Sequence, residues 1–149
     1  MQWLDRLKAM GFILPVIIHP RAYISSGASV GEGSVVLAGA AVITGARIGR
    51  GCIINTQSSV DHDCIIGDGT HICPGAHLAG TVIIGDFTDV YTSAAIARNI
   101  RIGSNCQIAA GAAVIKDIPD NAMAAGVPAV VKKYLGGAAN EGFICSQNK

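Results

Sequence analysis

Aromatic side chains are scarce in this 149-residue chain: Phe, Tyr and Trp make up 5% of it, whereas half of it is hydrophobic. A core of that composition is narrow and is filled by Ile, Val and Ala. Net charge is scarce too. The formal charge is +1, and no basic stripe with interleaved aromatics occurs, which argues against a nucleic-acid partner. Long apolar runs are missing as well. The best, Phe12 to Ile18, is broken by Pro15 and is too short to cross a bilayer, so no membrane partner is expected. Asp5 beside Arg6 and Lys8 does not read as a secretory signal. The length fits one domain.

What is present is a six-residue beat from Ile18 to about Ile118. Stepping by six from Ile18 meets Ile24, Val30, Val36, Val42, Ile48, Ile54, and so on without a slip to Ile108 and Val114. Fixed-period self-similarity of this kind marks a repeat architecture. Two residues before these aliphatics sit smaller ones, among them Ala22, Ala28, Ser34, Ala40, Ala46, Cys52, Ser58, Cys64, Thr70 and Ala76. Positions two apart on a short strand face the same way, here inward. Three residues after each aliphatic, most positions are Gly, Asn or Asp, from Gly27 and Gly33 through Asp63 to Gly111 and Asp117. These types tolerate a left-handed corner; Gln57, Thr81, Phe87 and Ser93 depart from the preference.

A longer beat overlies the first. Gly31, Gly49, Gly67, Gly85 and Gly103 recur every eighteen residues, so three hexapeptides close one triangular coil. Coils stack about 4.8 Å apart into a β-helix solenoid. Five cysteines do not form a disulfide framework on this frame. Cys52, Cys64 and Cys106 fall on inward positions. Cys52 and Cys106 share a column three coils apart, roughly 14 Å at that spacing, too far to bridge. Cys73 is at a corner and Cys145 in the tail. Free thiols fit a reducing, cytoplasmic location.

Residues 1–17 stand outside the repeat. Trp3, Leu4, Leu7 and Met10 follow helical spacing and Gly11 would stop the helix, so a helix capping the open end of the prism is expected. His19 before Pro20 reads as an extended structural residue. Residues 18–118 form the β-helix and residues 119–149 the exit and tail. Asn121 to Tyr134, with Gly126-Val127-Pro128-Ala129, resembles the exit of hexapeptide-repeat transferases, which implies a loop leaving the last coil. Gly136 to Lys149, rich in Gly, Ala and Asn, reads as mobile.

A solenoid this narrow has no room inside for a ligand, so a site must lie outside or between chains. The candidate stretch is Asn55 to Gly80. His62 sits at a corner between Asp61 and Asp63, whose charges raise its basicity, as a general base requires. A solvated corner histidine, with Asp63 chosen for its backbone, is the plainer alternative. His71 is half a coil on, on a flat outer wall opposite that corner. The two imidazoles can share a site only if one comes from a neighbouring chain. His77, also on an outer face, reads as surface or interface packing. Stacking by eighteen gives the column Thr44, His62, Gly80, Arg98, Lys116. Gly80 would leave space over His62 for a thioester, with a backbone N–H aimed at its oxygen. Arg98 and Lys116 could meet phosphates of a nucleotide-like carrier, or simply be solvated.

The repeat resembles that of the hexapeptide-repeat acyltransferases, which implies a left-handed β-helix and, around Asn55, Asp61-His62-Asp63, His71, Gly80 and Gly126-Val127-Pro128-Ala129, the sialic-acid O-acetyltransferase-like group that includes UDP-4-amino-sugar N-acetyltransferases. The resemblance covers about residues 11 to 134. It implies an acetyl-CoA-dependent transferase with His62 as catalytic base tuned by Asp63. It implies cosubstrate contacts at His71, Gly80, Arg98, Ala110 and Gly111, and acceptor contacts at Asn55 and Asp61. It also implies a homotrimer with sites between chains, a sugar or sugar-nucleotide acceptor, and no metal.

That group usually begins with a small α/β sugar-nucleotide-binding domain, and this chain lacks one. Arg6 to Pro15 looks like such a domain's last helix and linker. The domain is a separate protein, or the acceptor is not a nucleotide sugar, or the chain is a shortened copy. Two other readings use the same prism. A zinc hydratase like the γ-type carbonic anhydrases needs three imidazoles at near-whole-coil spacing, and His62, His71 and His77 do not follow that spacing. A non-catalytic trimeric scaffold is the other.

Overall fold

In a computed structural model, which describes residues 2–136, two-residue strands recur every sixth residue from Ile17–Ile18 to Ala113–Val114. They stack into three parallel walls, each strand pairing with those one coil before and after it. The first wall runs through Ile17–Ile18, Val35–Val36, Ile53–Ile54, His71–Ile72, Asp89–Val90 and Gln107–Ile108. The second holds Ser59–Val60, His77–Leu78 and their equivalents, the third Ile65–Ile66, Ile83–Ile84 and theirs. The architecture is a left-handed parallel β-helix.

From Val35–Val36 to Ala113–Val114, one residue of each strand points inward and is buried, whereas the first three strands, at the open end, bury neither residue. Ile54, Val60, Ile66, Ile72, Leu78 and Ile84 lie in this line. Each such side chain withdrawn from water contributes about 1.5–3 kcal/mol. The second inward slot takes Cys52, Cys64 and Cys106, all buried, and later widens to Val82 and Ile100. Where it is polar, its hydroxyl is satisfied: Thr70 Oγ1 donates to the Gly85 carbonyl and Thr88 Oγ1 to that of Gly103, at 2.9 and 2.8 Å.

The corners bear out the left-handed expectation with two exceptions. Positive φ recurs at every sixth residue from Gly33 to Gly111. Gln57, Thr81, Phe87 and Ser93 adopt it too, despite their residue types. The six-residue closure therefore overrides a local preference of about 1–2 kcal/mol per residue. Gly27 and Asp117, at the two ends of the repeat, do not have positive φ. The eighteen-residue glycines have a different reason. A Cβ on Gly67 would lie 2.6 Å from the Asp86 backbone N, because successive coils touch backbone to backbone at that corner.

The N-terminal helix, Gln2–Ala9, has no buried residue. Its contacts are with a corner: Leu4 lies over Gly33, Lys8 pairs with Glu32 at 2.7 Å, and Asp5 pairs with Arg50 at 2.8 Å. His19 Nδ1 accepts the Arg21 backbone N–H. The exit is not the expected loop. Ala122–Gly126 continues the first wall beside Gln107–Ile108, and Ala129–Tyr134 returns antiparallel to it. The turn between them contains the Val127–Pro128 cis peptide bond. Ala122, Ala124 and Ala129 are buried, so this hairpin packs on the last coil. The tail expected to be mobile, beyond Gly136, and Cys145 lie outside the described residues. Among the described residues, no helix is long and apolar enough to cross a membrane.

Candidate active site

His62 stands exposed at the corner between the second and third walls. The corner's local hydrogen bonds hold it. Asp61 Oδ1 accepts the His62 backbone N–H at 2.7 Å, and Asp63, at φ 58°, turns its carboxylate back onto the ring. Asp63 Oδ2 lies 2.9 Å from His62 Nδ1. A carboxylate only accepts, so Nδ1 carries the proton and Nε2 keeps its lone pair. The hydrogen bond to Asp63 raises the imidazole's proton affinity, partial desolvation opposes it, and the charges of Asp61 and Asp63 add to the rise.

Nε2 points at Gly80, one coil on. A Cβ on Gly80 would overlap Nε2 and Cε1 of His62. The expectation of empty space over the histidine is therefore corrected: the ring itself fills the room that the missing side chain leaves. Gly80 is buried, and its carbonyl accepts the Asn99 N–H at 3.2 Å. Arg98 is exposed on the same corner column, one coil beyond Gly80, with Lys116 a further coil on.

His71 belongs to a different surface. It opens a strand of the first wall, and its Nε2 lies 2.9 Å from Asn55 Nδ2. Asp89 is its register partner on the next strand, and Gln107 follows Asp89. His71, Asp89 and Gln107, with Cys73 and Tyr91 from the adjoining corner, line a cavity of about 560 Å³. Burial lowers the proton affinity of His71, against the pull of Asp89. Burial likewise raises Asp89, with His71 opposing, and pushes the Cys73 thiol up to about 11.

The structure thus brings Asp61, His62, Asp63 and Gly80 together, and separately Asn55 with His71. Within one chain the two groups lie on opposite sides of the prism. Ala110 and Gly111 are exposed at the corner that carries Asn55, three coils further on. His77 accepts or donates a 2.8 Å hydrogen bond with Ser59 on the second wall. Sequence reasoning missed Cys73, Asp89, Tyr91 and Gln107. The eighteen-residue column through His71 carries Asp89 and Gln107, and that spacing is the signal for them. Among the described residues of one chain, no three His, Cys, Asp or Glu side chains converge as metal ligands would.

The fold is a triangular parallel solenoid, and residues 45–80 match the family described as bacterial transferase hexapeptide (six repeats). The chain is similar to the acetyltransferase domain of PglB from Neisseria gonorrhoeae FA1090, solved with acetyl coenzyme A. They are 44% identical with a TM-score of 0.85, covering 87% of this chain and 63% of that one. It is also similar to PerB from Caulobacter crescentus, solved with CoA and GDP-perosamine: 39% identity, TM-score 0.86, 89% of this chain and 64% of that one. WeeI from Acinetobacter baumannii AYE is 27% identical, with a TM-score of 0.83 over 87% of this chain and 64% of that one. The chain spans less than two thirds of the length of these relatives. No curated protein matches it.

Proposed function

We propose that the chain is an acetyl-CoA-dependent acetyltransferase acting on an amino or hydroxyl group of a sugar or sugar nucleotide. Its site is completed between the subunits of a homotrimer. The observation that carries this reading is His62: Asp63 occupies Nδ1, and Nε2 is left at the surface as a lone pair of raised basicity. The relatives solved with acetyl coenzyme A, CoA and GDP-perosamine support the two substrate classes.

His62 Nε2 takes the proton from the acceptor as its nitrogen or oxygen bonds to the acetyl carbon. The carbon–sulfur bond then breaks, and the thiolate leaves and is protonated by solvent. His62 works here as a general base, worth about 10²–10⁴ in rate. Gly80 admits the His62 ring from one coil below: with any larger residue the imidazole would be displaced. Arg98, exposed on the His62 column, would meet the phosphates of the carrier, and Ala110 and Gly111 leave an exposed, side-chain-poor strip at another corner. His71 and Asn55 of one subunit would face His62 of the next, because their opposed placement within one chain prevents a shared site there.

The test is thiol release from acetyl-CoA with a panel of amino sugars and sugar nucleotides, for wild type and His62→Ala. Wild-type turnover with one acceptor, lost in the variant, is the expected result. Equal rates in both would remove His62 from the mechanism. Sedimentation of the purified protein tests the trimer, and a monomer at working concentration would rule out a site between chains.

A further inference from the structure

Two hydrogen bonds decide which nitrogen of His71 carries its proton. Asn55 Oδ1 accepts the Thr56 backbone N–H at 2.7 Å. A backbone amide can only donate, so the carboxamide atom facing it is the oxygen. That turns Asn55 Nδ2, which can only donate, toward His71 Nε2 at 2.9 Å. His71 Nε2 must accept through its lone pair. The single proton of a neutral ring then sits on Nδ1.

We propose that Asn55 is a positioning residue that holds His71 as the Nδ1–H tautomer, so that His71 serves its cavity as a hydrogen-bond donor and not as a base. This role engages the oxygen and one amide proton of Asn55 and leaves its second amide proton for the expected acceptor contact.

The surroundings favour a neutral ring. The preceding strand presents Ile53, which carries no charge. The following strand presents Asp89, and the adjoining corner presents Cys73 and Tyr91. Burial biases each of these three toward its uncharged form, as it does His71. His62 is the mirror case. There an acceptor on Nδ1 leaves a lone pair outward; here a donor on Nε2 leaves an N–H. If the acetyl-transfer reading holds, that N–H is the group to meet the thioester oxygen as negative charge develops on it.

The experiment is two-bond proton–nitrogen NMR of the histidine rings in the ¹⁵N-labelled full chain, for wild type, Asn55→Ala and Asn55→Asp. In wild type the His71 Nδ1 signal should be that of a protonated nitrogen and Nε2 that of a bare one. Asn55→Asp places an acceptor against Nε2 and should move the proton there. Asn55→Ala should give a mixture, with the His62 signals unmoved in both variants as a check on folding. A wild-type ring protonated on Nε2, or a tautomer indifferent to both substitutions, overturns the proposal.

Acetyl transfer is read alongside. Losing one oxyanion donor costs about 10²-fold or more in turnover, and Asn55→Asp should show it. A switched tautomer with wild-type turnover overturns the donor role. The tautomer switch in a protein that transfers acetyl to no acceptor would support the Asn55 assignment while defeating the functional reading.

Discussion

His62 and His71 lie nine residues apart and face opposite conditions. His62 projects from an exposed corner between two carboxylates, and the proton is held more tightly than in a free imidazole. His71 lies half-buried on a flat wall, and desolvation loosens its proton. Both sit beside an aspartate. The difference lies in what the carboxylate does: Asp63 bonds the ring directly, whereas Asp89 acts on its neighbour only through space and is itself disfavoured as an anion. Proximity of an acid therefore does not by itself set a histidine's basicity. Hydrogen bonding to the charged form and access to water outweigh it here.

The largest effect that would test this contrast is the loss of the base. His62→Ala should lower kcat/KM by about 10²–10⁴, whereas His71→Ala, which removes a donor, should cost roughly 10². Thiol-release kinetics on both variants measure this, and a larger loss at His71 would invert the assigned roles. Next comes geometry. Gly80→Ala puts a methyl group where the His62 ring now lies and should cost about 10²-fold in kcat/KM through misplacement of Nε2, with the thermal melt little changed. Wild-type kinetics in that variant would show that the ring's place over Gly80 is irrelevant.

The pH profile sharpens the comparison further. Nε2 must be unprotonated to act, and Asp63 raises its proton affinity. Asp63→Asn should therefore shift the ascending limb of kcat/KM toward lower pH and reduce the plateau, because the base is weaker. Asp89→Asn should leave that limb where it is. A shift of the limb in the Asp89 variant alone would assign it to His71. The smallest effect is expected at Arg98. It is exposed, so Arg98→Ala should raise KM for acetyl-CoA by less than about tenfold and leave kcat unchanged.

Much of the prism was legible because its rules are local. A hexapeptide needs one inward aliphatic and one tight corner, and both are residue-type choices visible at fixed spacing. Even so, type alone misjudged some corners. Phe87 and Thr81 take the left-handed conformation because the coils above and below leave no other path. The hairpin of 122–134 is not legible locally, because its Gly-Val-Pro turn fits a loop equally well and its pairing depends on a wall begun far earlier in the chain. At the candidate site, His62 with its two aspartates was legible as a triplet. The His71 cavity was not, since its walls come from positions 71, 73, 89, 91 and 107.

The amino-acid sequence by itself determined the repeat, its eighteen-residue coil and the columns into which side chains fall, because hydrophobic spacing and corner chemistry act within a few residues. Only the tertiary structure decided that the His62 ring occupies the room over Gly80 and that Asn55 grips His71. Proton affinity and tautomer answer to burial and to the orientation of hydrogen-bond partners. Neither exists until one coil has been laid upon the next.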